Sequence, residues 1–120
     1  MKTEYEPRPD HLYVKVSGAF EVHEARHALG DVLRECQARG LARILIDARG
    51  LTTPVSVADR YDLATRLADY GTGRLRTAIV VSPDNLFTKT LEDTATNRGA
   101  ALRTTDSLEE AVAFLDLEAP

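Results

Sequence analysis

The residues best suited to chemistry form the pattern H-E-x-x-H at positions 23–27 of this 120-residue chain. Two histidines one helical turn apart, with a glutamate as general base, can bind the zinc ion of a hydrolase. Such a site needs a third ligand, and the extended pattern would place it at position 33, which is Leu33. On a helical wheel His23 and His27 lie opposite the apolar stripe, so we expect both to be exposed. A zinc-dependent hydrolase therefore stays a remote alternative, with only adventitious metal binding by this pair and no predicted cofactor.

Ser56 is a second candidate, because it stands directly before a predicted helix. A serine there usually accepts a hydrogen bond from a backbone N–H of the first turn, which contributes about 1 kcal/mol. Asp59, three residues on, completes an approximate capping box. A phosphate at the same position would be stabilised by the free amides and the positive end of the helix. The sequence therefore leaves two roles open for Ser56, a helix cap and a phosphorylated switch, with Thr53 as the second phosphorylation candidate.

Other polar residues near Ser56 define a candidate surface for a partner or ligand. Asp47 ends a predicted strand, where it can bind a ligand at the carboxyl edge of a sheet or accept backbone hydrogen bonds from the adjacent loop. The predicted surface consists of Asp47, Arg49, Thr52 and Arg60.

The element that must position these residues is the stretch 41–61. Residues 44–46 are a β-branched, apolar run that predicts a buried strand, which Asp47 and Gly50 end. Residues 51–55 then form a loop rich in Thr and Pro, and a helix follows at 57–70. We expect the inward residues of this helix to be Val57, Tyr61, Ala64, Leu67 and Ala68.

The rest of the chain alternates strands and helices after an N-terminal hairpin. The predicted elements are strands at 3–6 and 11–17, a helix at 21–39 closed by Gly40, a strand at 75–82, a helix from Asp84 to Gly99, a strand at 100–105 and a helix after Ser107. Such alternation favours parallel pairing with right-handed crossovers. We predict one α/β domain over residues 1–120, with a four- to five-stranded mixed sheet, the N-terminal hairpin and about four helices packed on the sheet.

The composition limits the class of function. A net charge of −4, a pI of about 5.3 and scattered basic residues disfavour nucleic-acid binding. The apolar runs are too short for a membrane span. Cys36 lies on the apolar stripe of its helix, which predicts a buried thiol rather than a nucleophile. One cysteine and no signal peptide are typical of a cytoplasmic protein.

Three segments give the chain a resemblance to a known family: ILIDARG at 44–50, RTAIVVSPDNLF at 76–87 and NRGAALRTTDSLEEAVAFL at 97–115. Together they resemble small stand-alone STAS-like bacterial proteins, which are related in fold to anti-sigma-factor antagonists. Lipid-binding domains of the CRAL-TRIO type share this architecture. The resemblance implies a switch or interaction module, in which a partner kinase phosphorylates a serine after the third strand. The matching position is Ser56, or else Thr53, although the sequence TPVSV at 53–57 lacks the Asp-Ser-x-Gly of the antagonist branch.

We therefore predict a non-enzymatic regulatory or protein-interaction domain of the STAS-like type, with partner switching as its candidate mode of action. The alternative is a carrier of a small apolar ligand or lipid, which requires a sizeable apolar pocket. Few aromatic residues and short helices instead predict a core that closes on itself. The expected partner is a protein, and the chain is expected to be a monomer or a weak homodimer that pairs through the hairpin's edge strand.

Overall fold

The computed structural model describes residues 1–70, 75–83 and 101–117. The elements in these ranges are β1 (Lys2–Pro7), β2 (Leu12–Gly18), α1 (Val22–Arg39), β3 (Arg43–Leu51), α2 (Val57–Tyr70), β4 (Arg76–Val80), β5 (Ala101–Thr105) and α3 (Leu108–Leu115). The helix predicted from Asp84 to Gly99 lies outside the described residues. The predicted α/β class and mixed sheet are confirmed. About four helices were predicted, and three are found in the described residues.

All five described strands form one sheet in the order β1-β2-β3-β4-β5. β1 and β2 pair antiparallel, whereas the other neighbours pair parallel. Leu45 pairs with Ala78 and Ile46 pairs with Ile79, so the two apolar runs of the sequence lie side by side. A strand that is covered on both faces carries apolar residues at successive positions. This explains why residues 44–46 do not alternate between apolar and polar side chains.

Helices cover both faces of this sheet. α1 and α2 pack on one face, and α3 packs on the other. Ile44 belongs to the first core and Leu45 to the second, because successive side chains of a strand point to opposite faces. No helix in the described ranges is long and apolar enough to cross a membrane.

The helix ends follow the local signals in the sequence. Gly40 has φ of 66° and closes α1 in the left-handed conformation that glycine adopts without strain. Ser107 caps α3 by accepting a hydrogen bond from the Glu110 N–H at 3.2 Å. Between the helices, Nε of Arg26 lies 2.8 Å from the Asp62 carboxylate and ties α1 to α2.

β3 is longer than the sequence predicted. Gly50 and Asp47 do not end the strand, which continues to Leu51. After a register shift, Gly50 pairs with Ser17 of β2. A Cβ at position 50 would lie 2.9 Å from the Ser17 Cβ, so glycine is required here for the close approach of two strands.

Candidate functional site

Ser56 caps helix α2 as predicted. Its Oγ accepts a hydrogen bond from the Asp59 N–H at 3.2 Å, and the residue is exposed. The hydroxyl therefore satisfies one of the free amides at the helix start and still lies at the surface.

The loop before Ser56 is attached to the segment that follows β2. Thr53 Oγ1 accepts a hydrogen bond from the Phe20 N–H at 2.8 Å. The Thr52 N–H donates to the carbonyl of Gly18 at 2.9 Å. The Thr53 hydroxyl thus holds the loop against a neighbouring segment, whereas the Ser56 hydroxyl contacts only its own helix among the bonds described.

The first turns of α2 differ from the prediction. Val57 and Tyr61 were expected to face inward, but 59% and 50% of their surfaces are exposed. Ala64 and Ala68, farther along the same apolar stripe, are buried. Helical periodicity predicts the direction of a stripe but not how far along the helix its packing partners extend. The result is an exposed apolar pair beside Ser56.

Arg60 lies on the inner side of this turn. Its Nε donates to the backbone carbonyl of Val55 at 2.9 Å. The same side chain lines a cavity in the core, so it contacts both the loop and the interior.

Asp47 and Arg49 bind one another. The Asp47 carboxylate accepts hydrogen bonds from the backbone N–H of Arg49 at 3.1 Å, from its Nε at 2.9 Å and from its Nη2 at 2.8 Å. The bound guanidinium holds the pKa of Asp47 below its usual range. Asp47 alternates along β3 with Ile46 and Ala48, which line the cavity, and so points to the opposite face of the sheet. The four residues of the predicted surface are therefore not brought together, because this ion pair is separated from Arg60.

The H-E-x-x-H histidines are exposed, as predicted, and Nδ1 of His27 lies 3.2 Å from the Asp31 carboxylate. Leu33 is buried in the core. Over residues 1–70, 75–83 and 101–117, no group of three or more His, Cys, Asp or Glu side chains is placed to hold a metal ion. Cys36 is buried, as predicted, and burial raises the pKa of its thiol to about 11. The reactive thiolate is therefore scarce at neutral pH.

The core does not close on itself, contrary to the prediction. A cavity of about 190 Å³ lies between the sheet and helices α1 and α2. Small side chains on both walls are too short to fill this space. The atoms that line it therefore lose some of the close contacts that stabilise a packed interior. These small residues are Ala25, Ala28, Ala48 and Ala64.

The same alanines are the signal in the sequence that could have indicated the cavity, since they fall on the inward faces of α1, β3 and α2.

Sequence reasoning also missed the roles of Pro54, Val55 and Thr77. Pro54 and Val55 line the cavity from the loop. Thr77 lines it from β4, is 1% exposed, and has a hydroxyl without a hydrogen-bond partner in the described part of the chain.

Comparison with known proteins gives one kind of match. No protein-family model matches the sequence, and no curated protein matches it significantly. Among solved structures, an anti-sigma factor antagonist from Mycobacterium paratuberculosis is similar, with a TM-score of 0.66. The alignment covers 96% of this chain and 93% of that chain at 15% sequence identity. At this identity the likeness is one of fold.

Proposed function

Because the chain has the STAS-like fold that the sequence resemblance predicted, we propose that it is a non-enzymatic regulatory domain that binds a protein partner. The domain spans residues 1–120 and acts in the cytoplasm. Its partner surface consists of Thr52, Thr53, Ser56, Val57, Arg60 and Tyr61. The observation that carries this proposal is the exposure of Val57 and Tyr61, at 59% and 50%, beside the cap Ser56.

Val57 and Tyr61 supply what the centre of a protein interface needs. Tyrosine is among the residues that dominate binding energy, and fully burying a Val-sized side chain contributes roughly 1.5–3 kcal/mol. The polar residues Thr52, Ser56 and Arg60 would form the rim around this apolar pair. The arrangement suits a partner with an apolar pocket and a polar border.

Phosphorylation of Ser56 would switch this surface off. A phosphate carries roughly two negative charges and three acceptor oxygens, and the free amides at the start of α2 would hold it in place. The charge would then lie beside Val57, where a partner's apolar pocket would have to desolvate it. Thr53 is the weaker candidate, because its hydroxyl already anchors the loop to Phe20.

Site-specific photo-crosslinking in cells tests the partner surface. A photoreactive amino acid is placed at Val57 or at Tyr61, and at the exposed Ala113 of α3 as the control. We expect one protein to be captured from both α2 positions and not from position 113. Capture from all three positions alike, or from none, would contradict the proposal.

Two substitutions of Ser56 test the switch. Ser56→Asn keeps a good helix cap without charge, whereas Ser56→Asp keeps a good cap and adds a negative charge. We expect crosslinking from Tyr61 to persist in Ser56→Asn and to be lost in Ser56→Asp. Equal crosslinking in the two variants would contradict the phosphorylation switch but not the proposed partner surface.

A second candidate function, carriage of a small apolar ligand, is favoured by the cavity of about 190 Å³. Pockets for drug-sized ligands measure roughly 300–1,000 Å³. The available space therefore suits a small molecule and disfavours transport of a long-chain lipid.

A further inference from the structure

The hydroxyl of Thr77 lies among apolar side chains of the sheet. On the same face, Thr77 has Ile44 beside it on β3 and Leu102 beside it on β5. Ile79 follows two residues later on β4 and points to that face as well. All four residues line the cavity between the sheet and helices α1 and α2. The side chains of these three neighbours are hydrocarbon, so none of them can form a hydrogen bond with the Thr77 hydroxyl.

This hydroxyl is an exception among buried polar groups. Thr77 is 1% exposed, and its Oγ1 has no hydrogen-bond partner within the described residues. Most buried polar groups in proteins have a partner, because an unpaired group loses its bonds to water without replacement. The Thr53 hydroxyl, which also lines the cavity, accepts a hydrogen bond from the Phe20 N–H. An unpaired hydroxyl on a cavity wall points to a partner that occupies the cavity.

The surroundings of Thr77 favour an occupant with one polar group and an apolar body. A buried water molecule needs two to four polar partners, and the sheet neighbours of Thr77 that line the cavity are apolar. A threonine hydroxyl can both donate and accept a hydrogen bond, so it matches a hydroxyl or a carbonyl group. Neither of these groups carries the large hydration cost of a charge.

The volume of the cavity sets the size of this occupant. An engineered apolar cavity of about 150 Å³ holds a benzene molecule, so about 190 Å³ holds about seven or eight heavy atoms. We propose that the cavity binds a small neutral molecule of this size, with a single hydroxyl or carbonyl group bonded to the Thr77 hydroxyl. This inference rests on the second candidate function, ligand carriage, and does not depend on the partner surface.

Phenol and toluene test the site, because they have the same number of heavy atoms and only phenol has a hydroxyl group. Each is titrated into the isotope-labelled full chain, and NMR follows the methyl groups of Ile44, Ile79 and Leu102. We expect saturable shifts with both ligands. Thr77→Val should weaken phenol binding about fivefold or more, the effect of losing one net hydrogen bond, and should leave toluene binding unchanged.

Thr77→Ser is the matched control, because it keeps the hydroxyl and removes only the methyl group. The ratio of phenol affinity to toluene affinity should stay at the wild-type value in Thr77→Ser and fall in Thr77→Val. An equal fall of this ratio in both variants, or an equal loss of both ligands in Thr77→Val, would overturn recognition by the hydroxyl.

Filling the cavity tests where the ligands bind. Ala28→Phe fills it from α1 and Ala48→Leu fills it from β3, so a folding defect in one variant leaves the other as the test. Either folded variant should lose both ligands, and wild-type affinity for phenol in a folded variant would contradict the site.

The outcomes separate this inference from the functions on which the article has already concluded. Absence of saturable binding of both ligands to the wild type would overturn the inference together with ligand carriage. Toluene binding with no effect of Thr77→Val on phenol would overturn only the role of Thr77. Crosslinking from Tyr61 tests the partner surface independently of either result.

Discussion

Arg60 donates a hydrogen bond from Nε to the backbone carbonyl of Val55 at 2.9 Å, so helix α2 holds the loop that precedes it. The other side of the loop is held by the bond from the Phe20 N–H to Thr53 Oγ1. Pro54 lies between these two anchors and lines the cavity. The two bonds thus hold the loop from both sides.

Removal of the Arg60 anchor should loosen the loop. In Arg60→Ala we expect the backbone amides of Thr52, Thr53, Val55 and Ser56 to exchange hydrogen about fivefold faster, because one net hydrogen bond contributes about 1 kcal/mol. Hydrogen exchange read by mass spectrometry measures the effect. Arg66→Ala is the control, since Nε of Arg66 binds Asp62 at 3.1 Å on the same helix and does not bind the loop. Unchanged exchange in Arg60→Ala would show that this bond does not restrain the loop.

Where local patterns determine a feature, the sequence predicted it. The β-branched run at 44–46 predicted the central strand, and Gly40 and Ser56 predicted a helix end and a helix start. These signals depend on the preferences of a few neighbouring residues, so no tertiary information is needed. The apolar stripe with Cys36 also depends only on helical spacing.

Features that depend on distant packing could not be predicted. Val57 continues the apolar stripe of α2, yet whether it is covered depends on where the neighbouring elements end. The cavity depends on alanines from α1, β3 and α2 meeting across the core, such as Ala28 and Ala48. Gly50 was interpreted as a strand end, because the sequence does not show that Ser17 of another strand lies against it.

The Asp47–Arg49 pair makes the stability depend on pH. The pKa of Asp47 is lowered in the folded protein, so its stabilising contribution is complete above the unfolded pKa of about 3.9 and is lost as pH falls through the folded value. Asp47→Asn should lower the free energy of unfolding by about 1–3 kcal/mol at neutral pH. The difference from wild type should shrink below about pH 4.

Urea denaturation of wild type and Asp47→Asn across this pH range measures the difference. The exposed Asp106→Asn is the control, with an expected change within about 0.5 kcal/mol. A difference for Asp47→Asn that stays constant down to acid pH would contradict the role given to the ion pair.

The buried hydroxyl of Thr77 has no hydrogen-bond partner among the residues that the structure describes. Valine has nearly the same shape and lacks the hydroxyl, so Thr77→Val should raise the free energy of unfolding by about 1 kcal/mol. Thr105→Val is the matched control on the adjacent strand. The Thr105 hydroxyl donates to Glu110 and accepts from the Ser107 N–H, so its loss should destabilise the protein. Destabilisation of the same size in both variants, measured in urea, would show that Thr77 has a partner.

Gly50 and Gly30 should respond oppositely to a methyl group. A Cβ at position 50 would lie 2.9 Å from the Ser17 Cβ and 3.3 Å from the carbonyl oxygen of Val16. Gly50→Ala should therefore destabilise the protein by roughly 1–3 kcal/mol. A Cβ at Gly30, inside α1, meets only the flexible end of Arg34 at 3.4 Å. Gly30→Ala should stabilise the protein by roughly 0.5–1 kcal/mol, because alanine loses less backbone entropy in a helix.

Urea denaturation of both alanine variants measures these changes. The double variant Ser17→Gly with Gly50→Ala separates a steric cause from others, because Ser17→Gly removes the Cβ that lies nearest to the new methyl group. Gly50→Ala should lower the free energy of unfolding by less in the Ser17→Gly background than in the wild-type background. Part of the decrease should remain, because the new methyl group still contacts the Val16 carbonyl. An equal cost in both backgrounds would show that the close approach of β2 and β3 is not the reason for glycine at position 50.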